Sequence, residues 1–261
     1  MRLREPRLPW GCGTGSIRAV PRGVKPLPDF GPKLEGVHPL VILVDVDHTL
    51  LDGDAVRTAI TAAIEAAAGV DAVRAFWVEY ELVRGERGGV DIPETARRVE
   101  VARGLPPDSL GSAILAADFA VSLLPRAFEV LSHLATLGVT VVLSDGDGRF
   151  QRAKIASAGI EAAVEGRVLV VPHKQHALDL VAAAYPAAHY ALIDDRASIL
   201  GGVKAQLGQR VTTVRVRQGR YIEEQLDATL PPPDLELPSI AAALPLDQRA
   251  LLGGSEGGAR A

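Results

Sequence analysis

The chain has 261 residues, with 28 Lys and Arg against 32 Asp and Glu, a formal charge of −4 and a single cysteine. Nucleic-acid-binding proteins usually concentrate positive charge on one surface, so this balance argues against a nucleic-acid partner. One cysteine excludes an intrachain disulfide and a cysteine-based metal cluster. No apolar run approaches the roughly 20 residues of a membrane span, and the first 25 residues lack the apolar core of a signal peptide. We therefore predict a cytoplasmic protein without a membrane partner.

The first regular element follows a proline- and glycine-rich segment. Residues 1–38 cannot easily form a helix or a central strand, and we predict a flexible N-terminal arm. Residues 40–44 are an unbroken apolar run, which is typical of a strand buried on both faces. This strand leads directly into Asp45 and Asp47, followed by Thr49. In an open parallel sheet, chemistry collects at the carboxyl ends of such strands.

A helical region comes next, between residues 55 and 120. Apolar residues recur there at helical spacing, with breaks at glycines and prolines and no run of strand length. The predicted helices are 54–68, 71–84, 93–103 and 108–120. We interpret residues 55–120 as an all-helical cap inserted into a second domain.

Strands and helices then alternate along the chain. The predicted helices are 126–137, 150–158, 175–184 and 196–206, and the predicted strands are 139–143, 168–171, 190–193 and 211–216. This alternation predicts an α/β fold with a doubly wound parallel sheet and right-handed crossovers. Residues 39–54 and 121–229 would form this core, and residues 230–261 a partly disordered C-terminal extension.

Four of the five predicted strands end in polar residues that suit phosphoryl chemistry. Ser144, Lys174 and the pair Asp194-Asp195 follow three of them, and Asp45 follows the first. Each signal alone is weak, because Asp and Ser after a strand usually cap a helix or form a turn. Adjacent buried acids repel each other unless a cation or a proton intervenes. A cluster of carboxylates without cysteine suits Mg²⁺.

The order of these residues resembles the haloacid dehalogenase (HAD) superfamily over about residues 40–216. Residues 45–51 look like its first motif, Ser144 its second, Lys174 its third and Asp194-Asp195 its fourth, and the helical insert lies where type-1 caps occur. Two positions depart from the pattern: His48 stands where Gly or Asn is commoner, and no proline follows Lys174.

The resemblance implies a magnesium-dependent phosphatase that hydrolyses a small phosphorylated metabolite. Asp45 would attack phosphorus and form an aspartyl-phosphate. Asp47 would act as general acid and then as general base, and its backbone carbonyl would contribute to Mg²⁺ binding. Asp194 and Asp195 would complete the metal shell with Asp45; which of the two binds directly stays open, as does the oligomeric state.

The remaining groups of the resemblance would contact the phosphoryl group. Ser144 and the backbone of Asp145 and Gly146 would bind its oxygens, a role that glycine favours. Lys174 would neutralise charge shared between Asp45 and the phosphoryl group, and Thr49 would order the loop after the nucleophile. Dehalogenases of the superfamily lack an acid at the position of Asp47, so that residue favours phosphoryl transfer.

Two alternatives stay open within the same fold: a phosphomutase, which differs mainly in the cap, and a binding or regulatory module without turnover. Three others are rejected. The acid pair comes last, unlike in two-component receivers; Leu50 replaces the glycine of a calcium loop; and the first strand is not followed by the glycine-rich turn of dinucleotide-binding folds.

Other polar and aromatic residues receive structural interpretations. Asp52, Asp145 and Asp147 are predicted to cap helices or form turns. A helical face in the cap is predicted to pack internally: Phe76, Trp77, Tyr80 and Arg84. Arg57 and Arg87 are predicted to be solvated, and His173 and His176 are assigned no role beyond flanking Lys174. His48, beside the nucleophile, is the histidine of most interest.

Overall fold

The computed structural model describes residues 31–87, 89–224 and 227–254. Within them, the strands are β1 His38–Val44, β2 Val139–Asp145, β3 Val168–Val171, β4 Ala187–Asp194, β5 Val211–Val216 and β6 Leu235–Leu237. The α-helices are α1 Gly53–Ala68, α2 Val70–Arg87, α3 Ile92–Arg103, α4 Ser109–Leu115, α5 Ala127–Leu137, α6 Gly148–Ser157, α7 Ile160–Ala163, α8 Leu178–Ala184, α9 Ala197–Leu207 and α10 Gln248–Leu251. Short 3-10 helices cover Ala120–Ser122, Lys174–His176, Gly208–Arg210, Gly219–Tyr221 and Ile240–Ala243.

The strands form one parallel sheet in the order β3-β2-β1-β4-β5-β6. This arrangement confirms the predicted doubly wound α/β fold. The chain runs outward from β1 through β2 to β3, then crosses back to β4 and continues outward on the other side. The order therefore reverses between β1 and β4, and the crevice above such a switch point is where open α/β sheets bind ligands.

The sheet separates two apolar layers. Alternate side chains of β1 point to opposite faces, so Ile42 and Val44 pack with α5 and α6, whereas Val41 and Leu43 pack with α8 and α9. Residues 40–44 are all buried, as predicted for a central parallel strand. Burial on both faces fixes the register of β1 and, with it, the place where its carboxyl end opens.

Helices α1 to α4 lie between β1 and β2. The prediction extended the fourth helix over 108–120, but α4 ends at Leu115 and a 3-10 helix follows at Ala120–Ser122. The chain turns back to the core in between, where Ser157 Oγ accepts a hydrogen bond from the Phe119 N–H and donates to the Ala117 carbonyl. These tertiary bonds outweigh the helical propensity of an alanine-rich segment.

A buried carboxylate joins two helices of this insert. Glu100 on α3 accepts hydrogen bonds from the backbone N–H groups of Asp108, Leu110 and Gly111 at 2.8–3.2 Å. These N–H groups belong to the start of α4, whose first turn has no intrahelical acceptors for them. The helix terminus therefore compensates the burial of Glu100.

The C-terminal segment contributes a strand that the sequence did not predict. β6 pairs with β5, and Asp234 beside it accepts hydrogen bonds from the backbone and the hydroxyl of Thr213. Ile240 and Leu251 are buried in the core. A three-residue strand that follows three prolines offers no apolar run long enough to recognise.

Most of the predicted arm lies outside the described residues, which exclude 1–30, whereas of the predicted tail only 255–261 are excluded. The segment 31–37 approaches the core, where the Leu34 N–H donates to the Ala184 carbonyl at 3.0 Å. Within the described ranges, no helix combines the length and the apolar character that crossing a membrane requires.

Candidate active site

The first and fourth strands deliver three carboxylates to one point. In the pairing of β1 with β4, Val44 lies opposite Ile193, so Asp45 emerges beside Asp194. One carboxylate oxygen from each of Asp45, Asp194 and Asp195 lies within 4.8 Å of the others. The sequence separates these residues by about 150 positions, and the parallel register alone brings them together at the switch point.

Lys174 supplies the positive charge at the centre of this cluster. Its side chain is 1% exposed, and its Nζ donates to Asp45 Oδ1 at 2.5 Å and to Asp194 Oδ2 at 2.7 Å. Its backbone N–H donates to Asp145 Oδ1 at 3.1 Å. Burial opposes the charged ammonium, but Asp194 and Asp45 outweigh it and raise the pKa of Lys174 above its usual value. The group is therefore a permanent cation.

One ammonium does not balance three carboxylates, and the pKa values of the acids show this. Burial, reinforced by the charges of Asp45 and Asp194, raises the pKa of Asp195 to about 9. Burial also raises the pKa of Asp45 to about 6, against the opposing effect of Lys174. Asp195 Oδ2 is buried and has no hydrogen-bond partner among the described residues. The site therefore offers the oxygen ligands and the negative charge that suit a hard divalent cation such as Mg²⁺.

Two buried hydroxyls near the strand ends also lack partners. Thr49 Oγ1 and Ser144 Oγ are buried without a hydrogen bond within the described part of the chain. Buried hydroxyls normally find a partner, so both are free to bind a ligand that enters the crevice. The structure thus brings Thr49, Ser144 and Lys174 to the same edge of the sheet as Asp45.

The loop after β2 differs in detail from the expectation. Gly146 has φ +127°, a conformation that favours glycine. Its N–H donates to the Val171 carbonyl at 3.0 Å, so in this arrangement it is not available to a phosphoryl oxygen. The side chain of Asp145 accepts a hydrogen bond from the Lys174 backbone N–H, as a turn-forming acid does. The contribution of Gly146 is therefore conformational.

Asp47 follows Asp45 by two positions but lies in a different environment. Its Oδ1 forms an ion pair with Lys154, and its Oδ2 accepts a 2.9 Å hydrogen bond from Gln151 Nε2. Burial alone would raise the pKa of Asp47, but the ion pair and hydrogen bonds outweigh it and lower that pKa. The Asp47 side chain remains 38% exposed. It is the member of the motif that faces the opening of the crevice.

His48 adopts the left-handed conformation, with φ +62°, which non-glycine residues seldom take. Two glycines make room for its ring: a Cβ on Gly53 would lie 2.0 Å from His48 Cε1, and one on Gly219 would lie 2.7 Å from His48 Cβ. The ring contacts the edge of Tyr221 at 5.9 Å. The departure from the usual Gly or Asn is thus accommodated by small residues elsewhere.

Gln218 holds the loop around His48 from the β5–β6 connection. Its Nε2 donates to the carbonyls of His48 and Thr49 at 2.8 and 2.9 Å, and its Oε1 accepts the Ile240 N–H. The C-terminal segment is therefore connected to the loop that follows the nucleophile candidate.

Two of the acids predicted to cap helices or form turns do cap helices, and the aromatic residues of the helical insert pack inside it as predicted. Asp52 and Asp147 cap α1 and α6. Phe76 is fully buried, and Trp77 donates to Thr61.

The arginines expected on the surface are engaged with neighbouring side chains. The Arg57 guanidinium lies 3.6 Å from the centre of the Trp77 ring. Arg87 forms ion pairs with Asp91 and Glu94. His173 and His176 are exposed and touch each other, and neither extends the carboxylate cluster.

Sequence reasoning missed Lys154, Gln151 and Gln218. One signal was available for Lys154: the chain has only five lysines, so 23 of its 28 basic residues are arginines. Nothing in the local pattern distinguishes the two glutamines, because their partners lie about 100 or more residues away.

Comparisons with known proteins agree with this architecture. No protein-family model matches the chain, and no curated protein does. A crystal structure of a haloacid dehalogenase-like hydrolase from Burkholderia xenovorans is 36% identical, with a TM-score of 0.72, covering 80% of this chain and 97% of that one.

Two further solved structures share the fold. The HAD-hydrolase YfnB from Bacillus subtilis, bound to magnesium, is 14% identical with a TM-score of 0.56, covering 80% of this chain and 99% of its own. The L-2-haloacid dehalogenase RSc1362 is 16% identical with a TM-score of 0.51, covering 80% and 98%. At such identities these two support the fold alone.

The sheet order, the helical insert and the acidic crevice define a Rossmann-like protein of the HAD type. With 36% identity over nearly the whole of the Burkholderia protein, the chain belongs to the haloacid dehalogenase-like hydrolases.

Proposed function

We propose that this hydrolase is a Mg²⁺-dependent phosphatase that acts on a small phosphorylated metabolite through an aspartyl-phosphate on Asp45. The observation that carries the proposal is the meeting of Asp45, Lys174 and the acidic pair Asp194-Asp195 at the β1–β4 switch point, with a second acid, Asp47, at the opening. Two unpartnered hydroxyls at the same edge, Thr49 and Ser144, support a ligand that accepts hydrogen bonds.

The first step forms a bond between a carboxylate oxygen of Asp45 and phosphorus. Lys174 donates to Asp45 Oδ1, so the attacking atom would be the other oxygen, Oδ2. The bond from phosphorus to the ester oxygen breaks, and the departing alkoxide takes a proton from Asp47. The products of this step are the alcohol and the phosphorylated aspartate.

The second step hydrolyses the aspartyl-phosphate. Asp47 removes a proton from a water molecule, the water oxygen bonds to phosphorus, and Asp45 is released as a carboxylate together with inorganic phosphate. The ion pair with Lys154 keeps Asp47 ionised, which suits a base. For the first step Asp47 must be protonated, and the negative charge of an incoming phosphate ester favours that form.

Lys174, together with a divalent cation when one is bound, would neutralise the developing charge. Lys174 touches the nucleophile and would contact a transferring phosphoryl oxygen as negative charge shifts onto it. Asp45, Asp194 and Asp195 would hold Mg²⁺, with the Asp47 carbonyl as an expected further ligand. A divalent cation at this place withdraws charge from the phosphoryl oxygens and reduces their repulsion of the nucleophile.

The partners proposed for the protein follow from its charge and composition. A net charge of −4 without a basic surface motif fits a small metabolite better than a nucleic acid. A phosphomutase would use the same core residues and return the phosphoryl group to a second substrate. A module without turnover would bind a phosphorylated ligand without releasing inorganic phosphate.

The test is a screen of phosphorylated metabolites and an aryl phosphate, measured as release of inorganic phosphate with Mg²⁺ and again with EDTA. We expect Mg²⁺-dependent release, abolished in Asp45→Asn and retained in Asp71→Asn, an exposed control in α2. A bisphosphate product would identify a mutase. Absence of phosphate release together with chloride release from an L-2-haloacid would contradict the proposal.

A further inference from the structure

Lys154 is a fully buried cation that the proposed reaction does not use. It lies on α6, is 1% exposed, and forms its ion pair with Asp47 across 107 residues of sequence. A buried ammonium is costly unless a carboxylate compensates it. No second acidic partner of Lys154 occurs in the described ranges, so its orientation depends on Asp47.

Gln151, one turn earlier on α6, holds the other oxygen of Asp47. Its Nε2 donates to Asp47 Oδ2 at 2.9 Å and at the same time to the Asp145 carbonyl at 2.6 Å. One helix thus holds both oxygens of Asp47 and contacts the loop that follows Ser144. The position of Asp47 relative to that loop is therefore set by α6.

The helix itself is well anchored. Asp147 caps its first turn through the Phe150 N–H at 2.8 Å. Phe150 packs edge-on against Phe119, and Ser157 at its end bonds to the segment that returns from the helical insert. A group attached to such a helix is held more rigidly than one on a loop.

We propose that Lys154 is a positioning residue, which with Gln151 holds the Asp47 carboxylate at the distance from the phosphoryl site that proton transfer requires. The inference rests on the proposed phosphatase function. Lys154 itself is buried and pairs with Asp47, so it would act through Asp47 alone. Without it, the partly exposed carboxylate would rotate toward solvent, and misplacing a reacting group by about 1 Å can cost about 100-fold in rate.

The experiment compares three lysine variants in the full-length protein. Lys154→Met removes the charge at similar volume, and Lys154→Arg keeps a cation. Lys204→Met is the matched control, because Lys204 pairs with Asp234 at the amino end of β5, far from the crevice. We expect Lys154→Met to lower kcat about 10- to 100-fold with KM within about 3-fold, Lys154→Arg to recover part of the loss, and Lys204→Met to match the parent.

A double-mutant cycle separates positioning from general structure. If Lys154 acts through Asp47, adding Lys154→Met to Asp47→Asn lowers kcat no further. An equal additional loss in that background, a loss confined to KM, or an unchanged kcat in Lys154→Met would overturn the inference.

Thermal unfolding monitors the fold of each variant. Should Lys154→Met fail to fold, Gln151→Met carries the same test, since it removes the hydrogen bond to Asp47 Oδ2 without leaving a buried charge. A parent protein without phosphate release refutes the proposed function; an active parent with an unaffected Lys154→Met refutes only this inference.

Discussion

Asp45 and Asp47, which are separated by one residue, differ in pKa because each forms an ion pair with a different lysine. Asp45 shares Lys174 with Asp194 in a crowded acidic cluster, and burial raises its pKa to about 6. Asp47 has Lys154 to itself together with a hydrogen bond from Gln151, and its pKa is lowered. Separating the environments of two carboxylates is how one site supports a nucleophile and a proton-transfer group.

Replacing Asp47 tests both its chemistry and its ion pair. We expect Asp47→Asn to reduce kcat about 100- to 10,000-fold, the usual contribution of a general acid or base. It should also lower the free energy of unfolding by about 1–3 kcal/mol, because Lys154 then remains buried beside a neutral group. Activity assays and urea titration measure the two effects. Turnover and stability both equal to those of the parent would contradict the role.

At this scale the sequence predicted Asp45, Ser144, Lys174 and the acidic pair from their order at strand ends. It could not assign Lys154 or Gln151, because an ion pair between a helix and a distant loop leaves no periodic pattern. The engagement of the Gly146 N–H could not be predicted either, since its hydrogen bond to the Val171 carbonyl depends on how β2 and β3 pair.

The sequence predicted which helices and strands form better than it predicted where each of them ends. Periodicity gave the central strands and the helices because each buries a continuous apolar face. The end of α4 and the strand β6 were missed for a shared physical reason. Both are decided by tertiary hydrogen bonds, those of Ser157 and of Asp234, and not by local propensity.

At the junction between the loop after β1 and α1, one substitution is expected to change the free energy of unfolding in opposite directions in two backgrounds. Gly53 begins α1, and a methyl group there would collide with the His48 ring. We expect Gly53→Ala to destabilise the parent by about 1–3 kcal/mol through overpacking. In a His48→Gly background the collision disappears, and Gly53→Ala should stabilise by up to about 1 kcal/mol, since alanine favours a helix.

The measurement is the free energy of unfolding of the four proteins of this cycle. Gly85→Ala in α2 serves as control, because a Cβ there has open space. Equal effects of Gly53→Ala in both backgrounds would show that His48 does not occupy the position described.

On the scale of the whole molecule, the parallel register collects negative charge at one edge of the sheet. That arrangement costs stability when the acids ionise. The pKa of Asp195 is about 9 in the folded protein, whereas its ordinary value, which applies to the unfolded chain, is 3.8. Between pH 7 and 9 the folded state therefore binds more protons than the unfolded state, and the free energy of unfolding falls as pH rises.

We expect the Tm of the metal-free protein to fall by at least about 3 °C from pH 7 to 9, the shift that about 1 kcal/mol produces in a domain of this size. Saturating Mg²⁺ should remove most of the fall, because the cation replaces the proton. Asp195→Asn should flatten the pH profile without metal. A Tm that is independent of both pH and Mg²⁺ would contradict the charge balance described. Calorimetry at several pH values is the measurement.

Overall architecture was predictable because alternating strands and helices allow few arrangements. The substrate was not, because the apolar patterns that indicate the fold carry no information about a ligand, and α1 of the helical insert is rich in alanine. Few polar side chains there identify a ligand.

The most direct test of the central claim is mass spectrometry of the peptide that contains Asp45, after rapid acid quenching of the enzyme with a turned-over phosphomonoester and Mg²⁺. We expect a peptide heavier by one phosphoryl group, HPO₃, on residue 45, absent in Asp45→Asn. Turnover of the phosphomonoester with no phosphorylated peptide, or with the group on another residue, would contradict it.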